Sequence, residues 1–233
     1  AGEEERNKGA VHMGRFFSMD NKFFTFMNKV ADLCILNIIC LVCCIPIVNA
    51  GASITAMYYV TLKMVRNEEA YIVRSFFKSF KDNFKQATII NLIMIAVGAV
   101  LYLDLNVAKN MPGSAGQIFH VIFMAFVIIY YVLFLYVYPV LARFYNTIRN
   151  TIKNALFMAI RHLPYTVVMV LIGLCPLLLL FIDSYQIQST LFVLFLVMGF
   201  GVIAYCNSFF LVKIFDHYMP KEENEEQKSE GTE

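Results

Sequence analysis

The sequence predicts an all-α polytopic membrane protein with about six transmembrane helices, amphipathic cytoplasmic interfacial helices and both termini inside. Of its 233 residues, 59% are hydrophobic and only 15% are charged, whereas soluble domains carry roughly 25% charged residues. The apolar residues form long runs, and the basic residues fall between alternate runs. Composition, run length and charge placement therefore all indicate that lipid is the solvent for most of the chain.

Five apolar runs are long enough to cross about 30 Å of hydrocarbon at about 1.5 Å per residue. They cover residues 29–48, 87–105, 117–141, 164–182 and 189–212. A sixth run, 50–65, is shorter, is rich in small residues and carries Lys63 near its end. Whether this run crosses the membrane decides the topology.

The basic residues favour six spans, because cytoplasmic segments carry the excess of Lys and Arg. If residues 50–65 cross, the inside segments are 1–28, 66–86, 142–163 and 213–233, and Lys109 is the one basic residue outside. With five spans, the basic N-terminus and the basic 66–86 segment would lie on opposite sides. A re-entrant hairpin over 50–65 is the alternative.

One membrane domain is predicted, over residues 13–218. Residues 1–12 and 219–233 are polar and rich in acidic side chains, so they bury too little apolar area to fold alone. We expect a disordered N-terminal extension and a disordered acidic tail.

Two basic segments, 71–86 and 144–162, are predicted to be amphipathic helices at the cytoplasmic surface. Their apolar stripes have helical spacing and consist of Val73, Phe76, Phe77, Phe80 and Phe84 in one and of Phe144, Ile148, Ile152, Leu156 and Ile160 in the other. Such helices lie in the headgroup plane and attract anionic lipid. The candidate residues for docking lipid or a partner are Lys78, Lys81, Lys85, Arg149, Lys153 and Arg161.

Polar residues within apolar runs are the usual functional candidates of a membrane protein. Asn91, Tyr130 and Tyr131 are candidates for lining a small-solute site, since aromatic rings stack on sugars. The favoured alternative is packing, with Asn37, Asn91 and Asn207 hydrogen-bonding between helices.

No catalytic, metal or cofactor site is predicted. The sequence has no HExxH, GxSxG or P-loop motif and no paired carboxylates in mid-span. Its six cysteines lie in apolar runs without a ligand spacing, so we interpret them as packing residues. Neither an enzyme nor a nucleic-acid-binding protein is expected.

Several stretches resemble the YesL family of bacterial membrane proteins. They are residues 13–17 (MGRFF), 28–33 (NKVADL), 43–48 (CCIPIV), 56–66 (AMYYVTLKMVR), 75–80 (SFFKSF) and 153–164, and the likeness covers about 13–218. The resemblance implies a multi-pass protein of the bacterial cell membrane with no established activity or site. Genes of the family commonly lie near carbohydrate ABC-importer genes, which is an association and not a mechanism.

Two functional hypotheses follow. The first is an accessory or regulatory subunit of carbohydrate ABC import that docks permease or ATPase subunits through the two basic helices. Leu163-Pro164 is similar to the end of a permease coupling loop, although the Glu-Ala-Ala and Gly of that loop are missing. The second is a sugar- or vitamin-binding transport subunit in its own right. Anionic lipids are expected partners in both cases, and a homo-oligomer is a further alternative.

Overall fold

The structure, a computed structural model, describes the backbone of residues 2–68 and 71–219, and side chains from Phe23 onward within those ranges. Its helices are α1 (Gly2–Cys44), α2 (Ala50–Val65), α3 (Ile72–Asn110), α4 (Ser114–Arg143), α5 (Ile148–Arg161), α6 (Leu163–Leu174), α7 (Tyr185–Leu194) and α8 (Phe200–Asp216). These ranges contain no strand, so the predicted all-α class is confirmed. The ends expected to be disordered, 1–12 and 219–233, lie outside the residues with described side chains except for Met219.

Three short irregular segments complete the described chain. A 3₁₀ turn over Ile47–Asn49 precedes α2, a 3₁₀ segment over Cys175–Phe181 extends α6, and a π-helical turn over Phe195–Gly199 joins α7 to α8. The 3₁₀ segment ends the apolar stretch Leu163–Phe181, whereas the π-helical turn lies within the apolar stretch Tyr185–Asp216.

Five helical stretches of the described chain are long and apolar enough to cross a membrane. They are Phe23–Cys44, Ile72–Asn110, Ser114–Arg143, Leu163–Phe181 and Tyr185–Asp216. Each overlaps one of the five long apolar runs of the sequence. Large apolar side chains are exposed along all of them, which suits contact with lipid tails. A multi-pass membrane protein is the class that this surface defines.

Helix α2 has only 16 residues and is enclosed by other helices. Eleven of its residues are buried, and it packs against α1, α3, α4 and α8. Its small residues permit this approach: a β-carbon on Gly51 would lie 2.6 Å from the carbonyl oxygen of Ala87 and 2.7 Å from Cβ of Asn91. The packing of small residues, and not apolar length, therefore places α2 at the centre of the bundle.

Helix α3 differs from the sequence prediction of an interfacial helix followed by a separate span. One unbroken helix of 39 residues contains both the basic segment and the apolar run. No proline lies in this helix, and a change of polarity along a helix does not break its backbone. At about 1.5 Å per residue α3 is about 58 Å long, nearly twice the hydrocarbon thickness.

The second basic segment does form a helix of its own. Helix α5 ends at Arg161, and His162 leaves the helical conformation, with φ −114° and ψ 44°. Pro164 follows in the first turn of α6, where its missing N–H costs no hydrogen bond. The chain thus has a joint at His162 between a basic helix and the apolar stretch that follows it.

Candidate functional sites

Asn91 links three parts of the fold by hydrogen bonds. Its Nδ2 donates to the carbonyl oxygen of Ile47 at 2.9 Å, and its Oδ1 accepts from the hydroxyl of Tyr138 at 3.0 Å. The side chain is buried between α3, α4 and the turn before α2. The predicted interhelical bonding of Asn91 is therefore confirmed.

The two candidate tyrosines face different neighbours. The Tyr130 hydroxyl donates to the carbonyl oxygen of Met94 on α3 at 3.1 Å. The Tyr131 hydroxyl instead lies against Gly173 on α6, where a β-carbon would collide with it. These adjacent residues of α4 thus contact different helices: Tyr130 contacts α3, and Tyr131 contacts α6.

Asn37 on α1 completes the hydrogen bonding of the π-helical turn. Its Nδ2 donates to the carbonyl oxygen of Leu196 at 2.7 Å, and its Oδ1 accepts from the backbone N–H of Gly201 at 2.8 Å. A π turn inserts an extra residue and shifts the backbone groups out of α-helical register. A single buried carboxamide satisfies both groups, which confirms interhelical bonding by Asn37.

Helices α2 and α8 share a buried polar contact, where the hydroxyl oxygens of Thr61 and Ser208 lie 2.8 Å apart. Next to it, Asn207 is fully buried beside Tyr58. Neither amide atom of Asn207 has a partner with hydrogen-bonding geometry within the described residues. The side chain of Asn207 on α8 therefore interacts with the Tyr58 hydroxyl on α2, between two helices as predicted, but without full hydrogen-bond geometry.

Helix α5 packs mainly through its small residues, and only the first part of its predicted apolar stripe (Phe144, Ile148 and Ile152) is partly buried against the core. Its buried residues are Thr151, Ala155, Met158 and Ala159, whereas Ile160 of the stripe is 60% exposed. Since lipid tails are as apolar as the protein core, small residues decide which face packs. The outer face carries apolar side chains together with Arg149, Lys153 and Arg161, all exposed.

The start of α3 has a similar outer face. Lys78, Lys81 and Lys85 are exposed there, next to the exposed ring of Phe77. Lys78 also lines a crevice that reaches the link between α4 and α5 at Tyr145. All six basic candidates are therefore on the surface, and the crevice connects the two segments that carry them.

Contacts between helix ends place three chain segments together. Lys29 on α1 donates to Oδ1 of Asn67 after α2 at 3.1 Å. Arg66 at the end of α2 forms an ion pair with Asp216 at the end of α8. The beginning of the first apolar stretch and the ends of α2 and α8 thus meet at one end of the bundle.

A second cluster, which the sequence analysis missed, lies at the joint between α5 and α6. Nε2 of His162 lies 3.2 Å from the hydroxyl of Tyr218, and the ring centre of His217 is 6.2 Å from that of His162. The guanidinium of Arg161 lies 5.9 Å from the ring centre of Tyr218. Burial, and then the nearby His217 and Arg161, lower the pKa of His162. No sequence signal relates positions 55 residues apart in this way.

The fold and these surfaces define a multi-pass α-helical membrane protein. A family model described as "Protein of unknown function, DUF624" matches residues 33–105, from α1 into α3. The chain is 25% identical over 150 residues to "Uncharacterized protein YesL" of Bacillus subtilis (strain 168), covering 64% of this chain and 70% of that relative. Both matches agree with the resemblance to the YesL family that the sequence stretches carry. No solved structure matches it.

Proposed function

We propose that this protein is an accessory or regulatory subunit of the bacterial cell membrane that docks a partner through its basic cytoplasmic face. One observation carries the proposal: six exposed basic side chains lie beside exposed apolar ones on α5 and the start of α3. A surface of this kind suits both anionic lipid and a protein groove.

The proposal includes six spans, with both ends in the cytoplasm. The contacts of Lys29 with Asn67 and of Arg66 with Asp216 support it, because they bring the beginning of the first apolar stretch and the ends of α2 and α8 together. An α1–α2 hairpin that returns the chain to its starting side explains this. The positive-inside rule then assigns that end to the cytoplasm and Lys109 to the outside.

The proposed partner is the permease or ATPase of a carbohydrate ABC importer. This choice rests on the resemblance described above, since genes of the YesL family commonly lie near such importer genes. The geometry adds that α5 is a separate helix of 14 residues, with an exposed face and a joint at each end. A short helix of this form is what permeases present to their ATPases.

The alternative, a solute-binding subunit, has less support. Asn91 and Tyr130 are engaged in hydrogen bonds between helices, and Tyr131 faces a different contact from Tyr130. Among the described cavities, one of about 320 Å³ between Cys175 and Ile203 has an almost entirely apolar lining. A sugar needs several hydrogen-bonding partners, which that lining does not offer.

The test is purification of the tagged protein from native membranes in a mild detergent, followed by mass spectrometry. We expect stoichiometric importer permease or ATPase subunits with the unmodified protein. Lys153→Glu combined with Arg161→Glu should abolish this recovery while insertion stays intact. Lys109→Glu, at the other end of α3, is the control and should retain the partner. Recovery of the unmodified protein alone overturns the proposal.

A further inference from the structure

The joint between α5 and α6 brings together basic groups from two distant parts of the chain. Arg161 and His162 end α5, and His217 follows α8. All three surround Tyr218, whose hydroxyl lies 3.2 Å from His162 Nε2 and whose ring centre lies 5.9 Å from the guanidinium of Arg161. The two imidazole ring centres are 6.2 Å apart.

Within the described residues, none of these three basic groups forms an ion pair. The nearest acid in sequence, Asp216, is paired with Arg66. The other rings packed on His162 are the phenol rings of Tyr165 on α6 and of Tyr218 after α8. Positive groups this close repel one another, and the pKa of His162 is lowered first by burial and then by this repulsion from His217 and Arg161. An anion at this place would remove the repulsion.

We propose that Arg161, His162 and His217 form a binding site for a phosphate group. The guanidinium presents a planar fork of donors, each protonated imidazole adds a donor, and the Tyr218 hydroxyl can add another. These donors come from the end of α5 and from the end of α8, and a phosphate group has enough acceptor oxygens to bond several of them at once.

Two sources can supply the phosphate, an anionic phospholipid headgroup or a soluble phosphate ester. The exposed side chains of Ile160 and Leu163 flank the site and offer an apolar surface for acyl chains. The site also lies directly before an apolar stretch, which in the proposed orientation is at headgroup level. The choice of a lipid headgroup as the source rests on the orientation given under the proposed function. The inference that the site binds phosphate rests on the side-chain contacts alone.

The test follows the imidazoles of the purified full chain by ¹⁵N NMR in dodecyl maltoside micelles, which contain no phosphate. The sequence has four histidines, His12, His120, His162 and His217, and the variants His162→Gln and His217→Gln assign two of them. The pKa of His162 is measured without ligand, with inorganic phosphate and with short-chain phosphatidylglycerol, at constant ionic strength. An anion within contact distance should raise that pKa by about 1.

Arg161→Gln should weaken the response to phosphate by about tenfold in ligand concentration, and Arg161→Lys should restore part of it. Lys213→Gln is the matched control, because Lys213 is an exposed basic residue one turn before His217. A rise with phosphatidylglycerol alone supports a lipid headgroup, and a rise with inorganic phosphate supports a soluble ester. An unchanged pKa with both ligands, or an equal loss in Lys213→Gln, overturns the proposal.

Discussion

Asn37 donates a 2.7 Å hydrogen bond to the carbonyl oxygen of Leu196, 159 positions further along the chain. Its other amide atom accepts from the N–H of Gly201, so one side chain satisfies two backbone groups beside the π turn. In hydrocarbon no water can replace these bonds. The side chain of Asn37 therefore connects α1 to the π turn and to the start of α8.

Asn37→Ala is expected to lower the free energy of unfolding by roughly 1–3 kcal/mol, because it leaves two buried backbone groups without partners. The measurement is thermal unfolding of the purified protein in detergent. Asn106→Ala is the control, since that exposed side chain bonds only to its own helix, at Tyr102. Equal stability of the two variants would contradict the role given to Asn37.

Asn207→Leu is expected to leave stability unchanged or raise it. The buried amide contacts the Tyr58 hydroxyl without full hydrogen-bond geometry, so an apolar side chain of similar size gives up a weak contact and removes a desolvation cost of about 1–3 kcal/mol. Asn91→Leu should have the opposite effect, since it breaks bonds to Ile47 and Tyr138. The unfolding midpoints of both variants, measured in the same detergent, show whether each substitution raises or lowers stability. A large decrease in the midpoint of Asn207→Leu would refute the prediction.

The six-span topology predicts which engineered cysteines an impermeant maleimide can reach. In a chain whose six native cysteines are replaced, Lys109→Cys should be labelled on intact cells. Tyr145→Cys should be labelled only after permeabilisation, although the Tyr145 side chain is fully exposed. Labelling of both positions on intact cells would contradict the six-span topology. Labelling of Tyr145→Cys alone on intact cells would indicate the opposite orientation.

Stability should depend on pH through His162. Its folded pKa lies below the usual value of about 6.5, so between these two values the unfolded chain binds more protons. Stability is therefore constant above about pH 6.5 and falls as the pH drops from there through the folded pKa. His162→Gln should flatten this part of the curve, as followed by unfolding midpoints from pH 7.5 to 5. An equally steep curve in the variant would assign the effect to another group.

Much of the fold is predictable because a membrane makes hydropathy informative. The apolar runs correspond to helices, and the interhelical bonding of Asn37 and Asn91 follows from the cost of a free amide in hydrocarbon. The exposure of the basic candidates follows in the same way from the cost of burying a charge. Each of these inferences depends only on the type of one residue and on whether lipid or water surrounds it.

Contacts between segments are not predictable in that way. The buried face of α5 contains Ala155 and Ala159 instead of Ile160, because in lipid the close approach of small residues outweighs apolar area. The π turn that bonds Asn37 is a local change of register with no residue signature. The cluster of His162 and His217 arises only when the α5–α6 joint meets the end of α8.

The unbroken course of α3 makes it a rigid arm. Its basic segment and its far end, near Lys109, belong to one helix of about 58 Å. A partner that tilts the basic segment by about 10° displaces the far end by about 10 Å, as the length of the rod requires. Helix α5 is not continuous with α6 in this way, because the helical conformation is broken at His162. The two basic segments therefore differ mechanically: one belongs to a continuous helix that includes an apolar stretch, and the other is joined to its apolar stretch through a break at His162.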